Sequence, residues 1–248
     1  MNHWGRGGKD YRLRKALNGV YKGAVLGGPF AGMRYVDQSV GSGWFPKILG
    51  RYESELHETV YQIIREGYAT IVDIGCAEGY YAVGMALKCP AAQIVAFDID
   101  ADAQRLCSQL AHENHVADRV TVRGGCSANA LNGLAGLERV VVICDCEGAE
   151  LDFLDANKVA WLRQADILVE LHDFIIPGLK ETLLRRFELT HSCTILDSKE
   201  PRIGSEPAFA SLSAADQIHG LGERWPMMQW AWLRRLRGLD QIPAPQKQ

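Results

Sequence analysis

From Tyr68 onward the chain alternates short apolar runs with helical patterns, and this alternation narrows the possible folds more than anything else in the sequence. The runs Ala69 to Ile74, Gln93 to Asp98, Arg119 to Arg123, Arg139 to Cys144 and Asp166 to Leu171 are apolar on both alternations, as strands covered by helices on both faces are. Between them lie helical stretches at Tyr80 to Lys88 (stopped by Pro90), Ala101 to Glu113, Ser127 to Leu134, and Glu150 to Leu162 with a break near Asn157. Repeated strand–helix units of this kind predict an α/β protein with a doubly wound, mostly parallel sheet. Pro177 suits the first turn of a further helix reaching Phe187. Ser192 to Leu196 and Met227 to Leu236 then read as extended. The Pro/Gly/Ser-rich stretch 198–224 between them lacks the regularity of a crossover helix, so the pair is expected as antiparallel edge strands joined by a long loop.

The first 67 residues have a different texture. Val20 to Leu26 and Met33 to Val36 predict a hairpin around Gly27-Gly-Pro-Phe-Ala-Gly32, and Arg51 to Glu66 places Leu56, Val60 and Ile64 at helical spacing before Gly67. Residues 1–67 are therefore expected as a cap or lid, 68–241 as the main α/β domain and 242–248 as a frayed tail. With 248 residues, 47% of them hydrophobic and 23% charged, the chain has the composition of one globular core. A formal net charge of -3 supplies no field for a polyanion and disfavours nucleic acid as a partner. No apolar run approaches the ~20 residues that span a bilayer, and residues 1–11 carry no apolar signal core, so a cytoplasmic protein with no membrane partner is expected. The seven cysteines form no C-x-x-C pair, and Cys144 and Cys146 would share one face of a strand, a poor geometry for a bridge.

The segment Asp73-Ile-Gly75-Cys76-Ala77-Glu78-Gly79 follows the first strand and opens a helix. Gly75 and Gly79 permit a tight turn and a close approach of backbone to ligand. The spacing D-x-G-x-x-x-G departs from the G-x-G-x-x-G of dinucleotide proteins and from the P-loop, so a pyrophosphate is poorly served. Some 20 residues on, at the end of the second strand, Asp98 stands where an acid accepts hydrogen bonds from ribose hydroxyls, with Ile99 beside it. The plain alternative is a glycine turn followed by a helix-capping Asp, the role assigned here to Asp100.

These residues resemble the first two motifs of the class I S-adenosylmethionine-dependent methyltransferases, a resemblance extending from about Tyr68 to Leu236. It implies a Rossmann-like sheet of seven strands, the last pair antiparallel, and S-adenosylmethionine as cofactor. By the same resemblance Asp73 and the loop Gly75, Cys76, Ala77, Glu78 and Gly79 would surround the methionine portion, with Asp98 and Ile99 on the ribose side. Gly124-Gly-Cys126-Ser127 lacks the acid that often holds the adenine amino group, leaving Cys126, Ser127 or a backbone group for that contact.

The fourth strand ends Cys144-Asp145-Cys-Glu147-Gly-Ala-Glu150 and the fifth Val169-Glu170-Leu-His172-Asp173. Period-two geometry puts Asp145 with Glu147 on one side, and Glu170 with His172. The implied fold makes these strands neighbours, so the four groups would meet at the mouth of the crevice. There Asp145 would lie near the methyl group, and His172 or Glu170 would take the proton from a substrate hydroxyl. A hard, Mg-like metal site is the lesser alternative, and capping by Glu147 or Glu150 with a loop hydrogen bond for His172 the structural one. The run from Asp145 to Glu170 further resembles the FkbM-type methyltransferases, which implies O-methylation of a sugar or other small-molecule acceptor. The [DN]-P-P-[YF] tetrapeptide of amino-methylating nucleic acid enzymes is absent here. A non-catalytic S-adenosylmethionine-binding scaffold is the rival from another class. Of the remaining candidates, His191 is either within reach of the crevice or structural at a strand start, His112 and His115 suit a helix end, Glu53 and Glu55 either help close the lid or sit as ordinary first-turn acids, and Arg234, Arg235 and Arg237 form a basic tip.

Overall fold

A computed structural model describes residues 8–134, 137–223 and 228–236. The tail expected at 242–248, Arg237 and the start of the last strand at Met227 lie outside the described residues. In chain order the elements are α1 (Lys9–Leu17), α2 (Trp44–Leu49), α3 (His57–Glu66), β1 (Thr70–Ile74), α4 (Tyr80–Lys88), β2 (Gln93–Phe97), α5 (Ala101–Glu113), β3 (Val120–Arg123), α6 (Ala128–Asn132), β4 (Val140–Cys144), α7 (Glu150–Phe153), β5 (Asp166–Leu171), α8 (Leu179–Phe187), β6 (His191–Asp197), α9 (Ala214–Leu221) and β7 (Gln229–Arg235). Among the described residues, seven strands form one sheet in the order β3-β2-β1-β4-β5-β7-β6. Strands β1 to β5 are parallel, and β7 runs antiparallel to both β5 and β6. This is the predicted doubly wound α/β architecture.

The strand sequences explain why both faces are covered. In β1, β4 and β5 successive side chains enter opposite cores: Ile71, Val141, Ile143 and Leu168 join one cluster, while Val72, Ile74, Val142, Ile167 and Val169 join the other. The first cluster is closed by α4 and α5 together with Leu13, Phe30, Ile48, Leu56 and Phe209 from the segments before β1 and after β6. The second is closed by α6, α7 and α8 through Leu131, Phe153, Leu183 and Phe187. Connections turn one way from β1 and the other way from β4, so a crevice opens at the carboxyl ends of those two strands, the switch point where such sheets take ligands.

Local chemistry accounts for several departures from the expected elements. The stretch Glu150 to Leu162 is not one helix: Asp155 turns its side chain onto the Asn157 N–H at 2.8 Å, competing with the helical ladder, and a 3-10 turn at Ala160–Gln164 follows. Helix α8 starts at Leu179, not at Pro177, because Gly178 takes a left-handed conformation (φ 83°) and the Asp173 carboxylate accepts from Lys180 N at 3.0 Å. The long loop after β6 contains a 3-10 turn at Pro207–Phe209 and helix α9, capped by Ser213, whose hydroxyl accepts from Asp216 N. The hairpin at residues 20–36 reduces to one bridge between Ala24 and Arg34. Helix α2 leaves no amphipathic period in the sequence because it is six residues long and buried all round.

The two flanking segments are tied to each other. Arg12 pairs with Asp216 at 2.6 Å, and His219 Nε2 meets Asp10 at 2.7 Å, joining α1 to α9. At the amino-terminal ends of β1 and β5, Tyr68 donates to Asp166, and Arg234 of β7 pairs with Glu66 at 2.7 Å. Arg234 is therefore part of the sheet's fastening and not only a solvated tip. No helix among the described residues is long and apolar enough to cross a membrane.

Candidate active site

The turn after β1 sits directly at the switch point. Gly75 N donates to Phe97 O at 2.8 Å, and Asp145 N donates to Ile74 O at 2.9 Å, so the glycine loop is clamped between β2 and β4. Gly75 has φ 83°, and a Cβ there would overlap the carbonyl oxygen of Asp145. Ala77, a non-glycine with φ 47°, is held in place by donating its N–H to Asp98 Oδ2 at 2.8 Å. Asp98 Oδ1 accepts from Asp100 N at 2.9 Å, and Asp100 in turn caps α5 by accepting from Asp102 N at 2.8 Å.

Around this turn opens a cavity of about 300 Å³. Of the residues expected to meet the cofactor, Asp73, Gly75, Cys76, Ala77, Asp98, Ile99, Cys126 and Asp145 line it. Three do not. Glu78 is fully buried, accepting from Tyr35 Oη (2.6 Å), Ser39 Oγ (2.7 Å), Val40 N (2.9 Å) and Lys47 Nζ (2.6 Å). Gly79 supplies the left-handed residue ahead of α4, packed against Cys107. Ser127 caps α6, its hydroxyl accepting from Ala130 N at 3.2 Å. All seven cysteines are free; Cys144 and Cys146 stand with their Sγ atoms 3.6 Å apart.

Asp73 is 3% exposed, and its Oδ2 has no hydrogen-bond partner among the described residues. Burial, reinforced by Asp145, Asp98 and Glu53 and only partly offset by the Ala82 N–H, pushes this carboxyl up to about 8. Because the folded value lies above the ordinary 3.8, the unfolded chain ionises first, and this group lowers stability progressively as pH rises from about 4 towards 8. Ligand-free Asp73→Asn should exceed the wild type in stability at pH 8 by about 1 kcal/mol or more. In thermal melts the gap in Tm should close near pH 4; a gap that does not change with pH would contradict the assignment.

Beside the cavity stands the acidic cluster. The β4–β5 register sets Cys144 opposite Val169, which brings Asp145 level with Glu170. His172 is 1% exposed; its Nδ1 lies 2.6 Å from Glu150 Oε1, and its Nε2 lies 3.5 Å from Asp145, 3.5 Å from Glu147 and 3.4 Å from Glu170. Burial pulls the imidazole down, but hydrogen bonds to Glu150 and Glu170 outweigh it and push His172 up to about 10. Glu150, raised by burial alone, is held below its usual value by the same contact. An imidazolium at neutral pH has no lone pair with which to accept a proton, so the general-base role expected for His172 does not fit this arrangement. Glu170 is fully buried too, and neither it nor His172 lines the cavity. His191 is spent elsewhere, with Nε2 2.8 Å from Ala165 O and Nδ1 2.8 Å from Thr190 Oγ1, and does not reach the crevice.

The segment before β1 supplies cavity walls that the motifs did not reveal: Val40, Gly41, Ser42, Lys47 and Tyr52, facing Tyr80 and Tyr81 of α4. Tyr81 donates to Glu53, which is 1% exposed with φ 46°; Glu53 is a buried partner here and not an ordinary first-turn acid. One signal was available. Lys47 is the lone charge in Trp44-Phe-Pro-Lys-Ile-Leu49, and a lysine in so apolar a run needs a partner.

Residues 54–174, a little under half of the chain, match the sequence profile of the O-methyltransferase family. No protein of curated function matches the chain. Among solved structures, an O-methyltransferase from Streptomyces achromogenes involved in tomaymycin synthesis, in complex with S-adenosylmethionine, is 15% identical; the likeness covers 70% of this chain and 77% of that one, with a TM-score of 0.47. An O-methyltransferase from Bacillus cereus in complex with S-adenosylhomocysteine is 14% identical over 70% of this chain and 78% of that one, with a TM-score of 0.46. An rRNA methylase from Streptococcus thermophilus is 11% identical over 74% and 97% of the two chains, with a TM-score of 0.49. The FkbM-type branch expected from Asp145 to Glu170 finds no support, since the profile that matches there is that of the O-methyltransferase family. Through its O-methyltransferase segment, folded into the sheet that carries Asp73, Gly75 and Asp98, the chain is an S-adenosylmethionine-dependent methyltransferase.

Proposed function

We propose that this methyltransferase acts on a hydroxyl group borne by an apolar small molecule, with a divalent cation held by Asp145, Glu147 and His172. The carrying observation is the donor set itself: Asp145 and Glu147, which line the cavity, and His172 beside them each bring one ligand atom to within 4.8 Å of the others. The set fits a metal on two further grounds. Three carboxylates stand 3.4 to 3.5 Å from His172 Nε2, and a cation that displaces the proton from that nitrogen would be shared among such groups, whereas without it the ring keeps the proton. The Nδ1 contact to buried Glu150 is the outer carboxylate that characteristically orients a ligating histidine. Two carboxylates with an imidazole suit Mn²⁺ better than the harder Mg²⁺ first considered.

S-adenosylmethionine, when bound, supplies a methyl group already activated on sulfur. The cation, when bound, supplies positive charge that favours the deprotonated acceptor oxygen. The chain's own residues do the rest. Asp73, Gly75 and Asp98 hold the donor in the crevice, Glu150 fixes the ring of His172, and Asp145 spans the two halves because it lines the cavity while touching the cluster. Displacement at a methyl group demands little proton chemistry, so alignment and exclusion of water dominate the rate.

The acceptor side is apolar. Phe174, Ile175 and Ile176 are 56%, 39% and 39% exposed in succession, on a turn whose Ile175 and Ile176 N–H groups both donate to His172 O at 2.9 Å. Ile175 and Ile176 border Gly148, between Glu147 and Glu150. An exposed apolar patch fixed at a reaction centre favours an acceptor with an apolar body over a bare sugar. The test is methyl transfer from labelled S-adenosylmethionine to matched panels of phenols, apolar alcohols and free sugars, with Mn²⁺ present. Transfer confined to the sugars would overturn the acceptor assignment. With an accepted phenol or alcohol, Phe174→Ser should raise KM for that acceptor by about tenfold and leave cofactor affinity unchanged, on the usual worth of a buried aromatic contact.

A further inference from the structure

We infer that Lys47, contributed by the segment before the O-methyltransferase match, recognises the carboxylate at the amino-acid end of the cofactor, opposite Asp73, which takes the ammonium. The inference rests on the cofactor reading above and concerns a residue that the motifs and the family match leave out. Among the described residues lining the cavity, Asp73, Asp98, Asp145 and Glu147 are acidic and Lys47 is the one cation. If the ribose lies on Asp98, the amino-acid end falls towards Asp73, whose Oδ2 lacks a donor, in the same cavity that Lys47 lines. An α-amino acid presents its ammonium and carboxylate on one carbon. A site for it therefore needs an acceptor and a cation within a few ångströms of each other.

The surroundings of Lys47 preorganise it for that task. Its Nζ lies 2.6 Å from Glu78 Oε1, 3.1 Å from Ser39 Oγ and 4.9 Å from the centre of the Tyr52 ring. An ammonium carries three N–H donors, and these two hydrogen bonds use two of them. Glu78 does not spend its charge on Lys47 alone: Tyr35 Oη, Ser39 Oγ and Val40 N also donate to it, so the lysine keeps positive character towards the cavity. A buried Lys–Glu pair costs desolvation energy and is weak evidence for stability on its own. Placed at the wall of a ligand cavity, the pair has a use that repays the burial.

The experiment is calorimetry with two probes, S-adenosylhomocysteine and its decarboxylated analogue, on the full-length wild type and on Lys47→Met combined with Glu78→Gln. The double variant removes both charges of the pair, which keeps the interior neutral. The wild type is expected to prefer S-adenosylhomocysteine by tenfold or more, and the double variant to lose that preference by binding S-adenosylhomocysteine more weakly and the analogue as before. A preference that survives in the folded double variant would overturn the inference. So would equal binding of the two probes by the wild type, a measurement that needs no variant. Failure of the wild type to bind either probe would strike at the cofactor reading itself and is thereby distinguishable.

Discussion

Replacing Gly75 with alanine is expected to reduce S-adenosylhomocysteine affinity by 100-fold or more, the largest loss from a single added methyl group. The new Cβ would overlap the Asp145 carbonyl oxygen, and its next neighbours would be Asp145 C and Cys146 Cα, all backbone atoms that cannot swing aside. Relief requires β1 and β4 to part at the point where Asp145 N donates to Ile74 O. The φ of 83° adds strain of roughly 1–2 kcal/mol for any residue with a side chain. The displaced groups are the cavity wall and Asp145, so cofactor binding and the acidic cluster suffer together. Gly124→Ala is the control, since a Cβ there meets nothing within 4 Å. Calorimetry checks binding and circular dichroism checks folding; a folded Gly75→Ala protein with wild-type affinity would show that the turn is not the cofactor's seat.

How much of this was legible beforehand follows from the range of the interactions involved. The apolar alternation in β1, β4 and β5 is local and survived folding within a residue or so at each end, because each strand feeds two cores at once. The D-x-G-x-x-x-G turn was legible for the same reason: Gly75 reports a backbone shape that only glycine takes freely. Glu78 does not line the cavity although it lies in the same motif, since motif membership says nothing of which way a side chain points, and its carboxylate is taken up by Tyr35, Ser39 and Lys47. Period-two reasoning rightly set Glu170 and His172 on one side, but it could not foresee Glu150, which reaches the ring from the start of α7 and alters its protonation. The contribution of residues 40–52 is purely tertiary; its one trace in the sequence is the charge of Lys47 within an apolar run.

The second large effect concerns the metal. Removing divalent cations with a chelator is expected to abolish methyl transfer, Mn²⁺ should restore it, and S-adenosylhomocysteine binding should hardly change, because Asp73, Gly75 and Asp98 are not among the residues that would hold the cation. Asp145→Asn and His172→Ala should each lower kcat by about 10²-fold or more, the range seen when groups that act on transition-state charge are removed. Such losses alone would not separate a metal site from a proton relay. Glu150→Gln does so. It preserves the shape of a fully buried side chain that lies 2.6 Å from His172 Nδ1 and does not line the cavity. If Glu150 orients a ligating ring, the variant should bind Mn²⁺ 10- to 100-fold more weakly, and excess Mn²⁺ should return most of its activity. If His172 instead works as a metal-free imidazolium, chelation leaves the wild type active and no concentration of Mn²⁺ rescues Glu150→Gln. Full activity after exhaustive chelation would therefore remove the cation from the mechanism and leave Asp145, Glu147 and His172 as a charged wall that positions the acceptor.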